Sequence, residues 1–363
     1  MDFEDRYSWS DRLLHRVAFQ GGIAQRTLAD VEEALYGDEI EAVSVDEPVF
    51  ISSLPRAGTT ILLRLLWNTD RFATHTYEDM PFVLCPMIWR QFSRRFESEE
   101  TVRERAHGDG IEISERSPEA FEEMIWKHFW PDQYTSDRIH PWTDSDRNRA
   151  FDAFFETHMQ KVIAIRGNGR TEDDDAPPLR YVSKNNLNIS RLASRPAGLR
   201  KGTIVIPFRD PVQQAASMLR QHERFLEIHA EDAFVREYME AIGHHEFGEG
   251  LKPVNFNDWL EDDPGDPTHL AFWLRYWVAA YRFVLDHKSA SDVLVSYANL
   301  TETPNAALPA LADAIGLSPD PLSTQAEALR PPRTHPADTD AVPSSVLDAA
   351  AALHERLRNA ATV

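Results

Sequence analysis

Pro48-Val49-Phe50-Ile51-Ser52-Ser53-Leu54-Pro55-Arg56-Ala57-Gly58-Thr59-Thr60-Ile61-Leu62 is the stretch on which the fold is read. Pro48 to Ser52 is a short apolar run, the signature of a buried strand. Leu54 to Gly58 is a turn. Thr59 to Thr69 has helical spacing, with Ile61, Leu62, Leu65 and Leu66 on the side expected to be buried. Strand, glycine-bearing loop and helix in that order make a phosphate cradle. Gly58 lets the backbone approach a ligand. The first free N–H groups, at Thr59, Thr60 and Ile61, point out of the helix, and the helix dipole favours an anion there. The two threonine hydroxyls add donors, and Arg56 adds a forked charge. No lysine precedes the threonines, so this is not the G-x-x-x-x-G-K-[ST] nucleotide loop.

A second pattern lies about 150 residues on. Thr203-Ile204-Val205-Ile206-Pro207-Phe208 reads as a strong buried strand that ends at Arg209-Asp210-Pro211. Val212 to Leu226 reads as a helix, with Ser217 eight residues after Arg209. A charge at a strand end and a hydroxyl on the next helix can converge on one phosphate. Arg180 to Lys184 reads as another strand, followed by a helix over Leu187 to Ser194, and Val293 to Tyr297 as a further strand. This βαβ rhythm predicts parallel strands joined by right-handed crossovers. Either motif alone also fits a plain turn leading into a capped helix. Both together, in order, on one βαβ pattern point to a binding site.

The chain has 363 residues, 42% hydrophobic and 27% charged, enough for a sizeable core. Its formal charge is 38 − 59 = −21. Such an acidic chain repels nucleic acid and anionic membranes, so an anionic ligand must be caught by a few placed Arg and Lys side chains. The single cysteine, Cys85, excludes an intrachain disulfide and fits a reducing, cytoplasmic setting. The acidic opening, Met1 to Arg6, lacks the features of a secretory signal. His269 to His287 is rich in Trp, Phe and Tyr, but Arg275 and Arg282 interrupt it. Each would cost roughly 2.5–3.5 kcal/mol at mid-membrane. We read a buried helix there, and no membrane span.

Working outward, 1–47 reads as an N-terminal helical extension, broken at Gly21-Gly22. Residues 86–178 and 225–270 read as helical and loop insertions within one domain spanning 1–363. Gly167 to Pro178 is an acidic, turn-rich loop, Asp258 to Thr268 a loop, Arg330 to Ser345 an irregular proline-rich segment, and Val346 to Arg358 the last helix.

Taken together, the two motifs resemble those of the sulfotransferases that use 3′-phosphoadenosine 5′-phosphosulfate (PAPS). That family's first loop, P-x-[RK]-x-G-T-T, is matched by Arg56, Ala57, Gly58, Thr59 and Thr60. Its second, R-D-P with a serine eight residues after the arginine, is matched by Arg209 and Ser217. The resemblance covers roughly 48–80, 180–220 and 270–317. It implies an α/β, three-layer P-loop-like fold with a central parallel sheet flanked by helices. It implies PAPS as donor, with the 5′-phosphosulfate on the first loop and the 3′-phosphate on Arg209 and Ser217. The acceptor is a hydroxyl or an amine, and no metal is implied. The arginine in the first loop is similar to the tyrosylprotein and bacterial branches. By that likeness, the base is Glu78, 22 residues after Arg56 (78 − 56), with His75 and Asp79 as rivals. Lys184 matches the lysine that contacts the leaving group. The resemblance would set Glu78 beside the cations Arg56 and Lys184. Two departures stand out: Ala57 replaces the usual serine, and Ile61 stands where the cytosolic branch stacks a tryptophan on adenine.

Two other functions fit the same sheet. A nucleotide kinase or phosphohydrolase would need the missing loop lysine and a magnesium-holding acid. A non-catalytic nucleotide-binding protein would have no use for Glu78 and Lys184. His244-His245-Glu246 could suggest a metal, but no second cluster has ligand spacing. Arg330 and Arg333 could close over the donor, although solvated charge explains them as well. The stripe Phe272, Trp273, Tyr276, Trp277 and Phe283 reads as core.

Overall fold

The structure, a computed structural model, describes residues 22–93, 103–104, 112–113, 117–167, 177–331 and 334–363. The expectations for 1–21, for most of the acidic loop and for Arg333 lie outside the described residues.

Five strands form one all-parallel sheet: β1 (Val49–Ile51), β2 (Phe72–Ala73), β5 (Arg180–Lys184), β6 (Thr203–Phe208) and β7 (Val293–Ser296), in the order β2-β5-β1-β6-β7. A separate antiparallel pair joins β3 (Arg103–Glu104) to β4 (Glu112–Ile113). A parallel sheet must be covered on both faces, so its strands are apolar throughout. Alternate residues therefore serve two cores. Phe50, Tyr181, Ile204, Ile206, Phe208 and Leu294 belong to one, with Phe155, Met218, Trp277 and Leu353. Val49, Ile51, Val182, Val205, Val293 and Val295 belong to the other, with Leu62, Leu66, Leu308 and Leu311. The first face carries helices Arg149–Gly167, Pro211–Glu231, Leu270–His287 and Ser344–Ala360; the second carries Thr59–Trp67 and Pro304–Ala314. The result is a three-layer α/β fold.

Several local readings change. The insertion at 86–178 is not all helix: helices Pro86–Ser93 and Glu123–Phe129 are separated by the β3–β4 pair. Phe121, Trp126, Trp142 and Phe151 of this region enter the larger core. In the loop helix Leu63 is buried and Ile61 only half-buried. The segment after β5 is a 3-10 helix, Asn186–Arg191, whose start the Asn185 side chain caps by accepting from Leu187 N at 3.0 Å. Residues 256–261 form a 3-10 turn, held where Trp259 Nε1 donates to Val254 O at 2.8 Å. Strand β7 stops at Ser296, whose hydroxyl accepts from Asn299 N, so Tyr297 opens a helix instead of closing the strand. The last helix begins at Ser344. No helix among the described residues is long and apolar enough to cross a membrane.

Candidate functional site

Because all five strands run the same way, their C-terminal ends share one edge of the sheet. That edge is where open α/β sheets bind ligands. Read along it, β2 leads to Glu78, β5 ends on Lys184, β1 leads to Arg56, β6 to Arg209 and β7 to Tyr297. Lys184 is paired in register with Ile51, at the last turn of backbone before the loop. Neighbouring strands lie about 4.8 Å apart, so β2 and β1 are roughly 10 Å apart at their ends.

The loop after β1 is shaped by two left-handed residues, Arg56 (φ +68°) and Gly58 (φ +99°). An arginine in that region is strained, and such strain concentrates at ligand-binding backbone. Gly58 is the N-cap of helix Thr59–Trp67, and no side chain caps that helix end. A Cβ on Gly58 would overlap the Tyr297 ring, so the ring lies directly on the loop. The loop is anchored from below by buried polar groups. Gln214 Nε2 donates to Pro55 O at 3.0 Å, and Gln214 Oε1 accepts from Trp277 Nε1 at 3.0 Å. Ser53 Oγ donates to Pro207 O at 2.6 Å and lies 2.7 Å from Tyr281 OH. The aromatic helix thus packs the core and also fixes the loop after β1.

In the second motif, Asp210 caps helix Pro211–Glu231 by accepting from Gln213 N at 2.9 Å, and Pro211 supplies the first helical residue. That geometry puts Ser217 two turns in, buried. Arg56 Nε donates to Ser217 Oγ at 3.1 Å, so the two motifs meet. Arg209 joins them. Burial lowers its pKa, and the Arg56 guanidinium nearby lowers it further. Burial raises the Tyr297 phenol, against the pull of Arg209 and Arg56. Two guanidiniums, a buried hydroxyl and a helix N-terminus therefore converge, an arrangement suited to an anion.

Lys184, Asn185 and Asn186 lie beside the loop, all buried. Thr59 Oγ1 donates to Asn186 Oδ1 at 3.3 Å, and Asn186 Nδ2 donates to Glu246 Oε1 at 3.1 Å. Asn185 Nδ2 donates to Glu123 Oε2 at 2.7 Å. Glu123 in turn pairs with buried Arg191, whose guanidinium lies 3.9 Å from the Trp126 ring centre and 4.2 Å from that of Trp142.

The three residues weighed as base differ sharply. Asp79 is buried and fully engaged: it accepts from Thr76 N at 2.9 Å, from Arg166 Nη2 at 2.6 Å, and lies 3.2 Å from His75 Nδ1. Burial pushes its carboxyl up, but Arg166 and the His75 hydrogen bond outweigh this and hold it below the usual range. His75 is 1% exposed, and its Nε2 lies 2.9 Å from His158 Nε2. Burial, with His75 and Lys161 nearby, keeps His158 well below an ordinary histidine. Glu78 alone keeps a side chain one-third exposed (33%), and Arg166 faces it, with Nη1 3.9 Å from Oε2.

Arg166, Gln214 and Tyr297 escaped the sequence reading as site residues, and Glu246 entered it only with His244 and His245 as a metal possibility. Tyr297 had a usable signal, since it directly follows a strand end, and Gln214 lies six residues past the end of β6 (214 − 208), on the helix that carries Ser217. Arg166 had none. The metal reading of 244–246 is not supported by direction: His244 Nε2 lies 3.2 Å from Ala120 O, while Glu246 turns to Asn186. Among the described residues no group of three or more His, Cys, Asp or Glu gathers as metal ligands do. Arg330 bonds the backbone of Glu327 and Leu329 beside it.

No family model matches the chain, and no curated protein matches it. Among solved structures, the chain is similar to the sulfotransferase STF1 from Mycobacterium tuberculosis H37Rv. The two share 14% identity at a TM-score of 0.48, over 94% of this chain and 84% of that one. It is also similar to the sulfotransferase STF9 from Mycobacterium avium, at 12% identity and a TM-score of 0.46, over 90% and 81%. A sulfotransferase from Alicyclobacillus acidocaldarius matches at 13% identity and a TM-score of 0.38, over 87% and 95%. At such identities, what those proteins do does not pass to this chain by likeness alone.

Proposed function

We propose that this chain is a sulfotransferase that takes PAPS as donor and passes its sulfuryl group to a hydroxyl or amine acceptor. The observation that carries the reading is the contact between Arg56 and Ser217, which unites two separate phosphate motifs at one sheet edge. The donor set fits a doubly anionic nucleotide. The N–H groups of the helix that starts at Thr59, with Thr59, Thr60 and Gly58, would hold the 5′-phosphosulfate, while Arg209 and Ser217 would hold the 3′-phosphate. Bound there, the nucleotide supplies a sulfuryl group whose S–O bond to the 5′-phosphate breaks as the acceptor oxygen bonds to sulfur. Glu78 takes the acceptor proton, as a carboxylate that keeps access to solvent. Lys184 and Arg56 stabilise the negative charge that grows on the leaving phosphate oxygen. Arg166 holds the turn that carries Glu78.

Incubation with sulfur-labelled PAPS and a panel of phenols, alcohols and amines, in the presence of EDTA, tests the reading. Transfer of label to an acceptor is the expected result. Phosphoryl transfer from ATP that needs added magnesium, with no sulfuryl transfer, would replace it with the kinase reading.

A further inference from the structure

Resting on that reading, we infer that Glu246 selects the acceptor: its carboxylate receives a second hydrogen-bond donor on the acceptor molecule, beside the hydroxyl that attacks. Glu246 sits on a turn pinned at both ends. Gly243 (φ +82°) and Gly248 (φ +73°) adopt backbone that other residues avoid, and a Cβ at either would collide with Glu123 or His229. Lys252 N donates to His245 O at 2.8 Å, Gly248 N to His222 Nδ1 at 3.1 Å, and Phe247 is buried in the core. The turn is therefore rigid while the Glu246 side chain stays half-exposed. Rigid support of this kind is what a specificity contact requires.

The position of the carboxylate follows from Asn186. One amide bridges Thr59, the first residue of the loop helix, and Glu246 Oε1. Glu246 is thus two hydrogen bonds from the sulfuryl site. Glu123 and Asp79 nearby are committed to arginines. Glu246 is held by a neutral amide, and its Oε2 accepts nothing from the described residues. An ionised carboxylate has about four acceptor positions, so most of its capacity is left for a ligand. With Glu78 addressing the attacking hydroxyl, a second carboxylate at the same edge matches an acceptor with two donors, a diol or an amino alcohol. A lone hydroxyl would leave Glu246 unused.

The test uses the full chain saturated with 3′,5′-diphosphoadenosine, titrated in a calorimeter with catechol and with phenol. Catechol should bind about tenfold or more tightly than phenol, the worth of one hydrogen bond to a charged group. Glu246→Gln, which keeps size and the Asn186 contact, should erase that preference and leave nucleotide affinity unchanged. Equal binding of the two phenols, binding of neither, or a preference that survives in Glu246→Gln overturns the inference. Absence of nucleotide binding to the wild type would instead overturn the sulfotransferase reading beneath it.

Discussion

Arg56 and Ser217 lie 161 positions apart in the chain, and Arg56 Nε donates to Ser217 Oγ at 3.1 Å. One residue follows β1 and the other stands two turns into the helix after β6, and β1 and β6 are neighbours in the sheet. The pairing is therefore a consequence of strand order. It also brings Arg56 close enough to Arg209 to disfavour its charge, a repulsion that an anion between them would relieve.

That relief predicts nucleotide preference. The protein should bind 3′,5′-diphosphoadenosine far better than 5′-AMP, with about 1.5–3 kcal/mol for each charged hydrogen bond to the 3′-phosphate. Ser217→Ala and Arg209→Ala should each narrow the gap. Calorimetry that finds equal affinities for the two nucleotides would remove Arg209 and Ser217 from the site.

Glu78 and Asp79 should separate cleanly on mutation. Glu78→Gln should lower kcat by about 10²–10⁴-fold, the range of a positioned base, with melting temperature and nucleotide affinity nearly unchanged. Asp79→Asn breaks a buried pair with Arg166 and should destabilise the fold by about 3 kcal/mol. Denaturant melts and turnover on both variants check this. A stable Asp79→Asn protein together with a fully active Glu78→Gln protein contradicts the assignment.

The loop glycine offers a third test. Gly58→Ala places a Cβ against the Tyr297 ring at φ +99°. Left-handed backbone costs a non-glycine residue about 1–2 kcal/mol, and the overlap adds to it. Nucleotide affinity should fall with stability. Tyr297→Ala in the same chain should recover the overlap portion and leave the backbone portion. Additive losses in this double-mutant cycle would mean that the ring does not press on the loop.

Acid sensitivity should arise from buried histidines. His245 is held down to about 3, by burial first and then by Lys127 and Lys252, and His158 is also well below its ordinary value. Both folded values lie below the unfolded value of about 6.5, so the unfolded chain takes up protons first. Stability is whole above about pH 6.5 and falls as pH drops below it, by about 1.4 kcal/mol per pH unit for each group until that group's folded value is reached. Neither His245 ring nitrogen makes a well-formed hydrogen bond among the described residues, with only a weak one to the Gly250 backbone. His245→Leu should therefore be nearly neutral at pH 7 and more stable than wild type by about 2 kcal/mol at pH 5. Urea melts at the two pH values decide it; an unchanged pH dependence in the variant counts against the account.

The second half of the site shows where sequence reading stops. Glycine, hydroxyl and arginine patterns at strand ends are local, because the strand, the turn and the first helical turn are set by residues a few positions apart. Gly58, Thr59, Arg209 and Ser217 were legible for that reason. The apolar run Val49, Phe50 and Ile51 likewise read as a buried strand, and the structure gives that strand to two cores. By contrast, Arg166 is 87 residues from Asp79, and Glu246 is 60 residues from Asn186. No local pattern marks Arg166, and the one around Glu246, His244-His245-Glu246, suggests a metal and says nothing of Asn186.

The sequence by itself determined the βαβ rhythm, the strand-turn-helix at 48–67, the Arg-Asp-Pro turn and the net acidity of the chain. Those features depend on backbone preference, side-chain period and net charge, all of which are written in short windows. Only the tertiary structure decided that Arg56 meets Ser217, that Tyr297 lies on Gly58, that Asp79 and His75 are buried in a network with Arg166, and that Glu246 reaches the loop through Asn186. These are contacts between elements whose adjacency follows from strand order and from which helix covers which face. Side-chain packing at long sequence separation fixes them, and no local propensity encodes it.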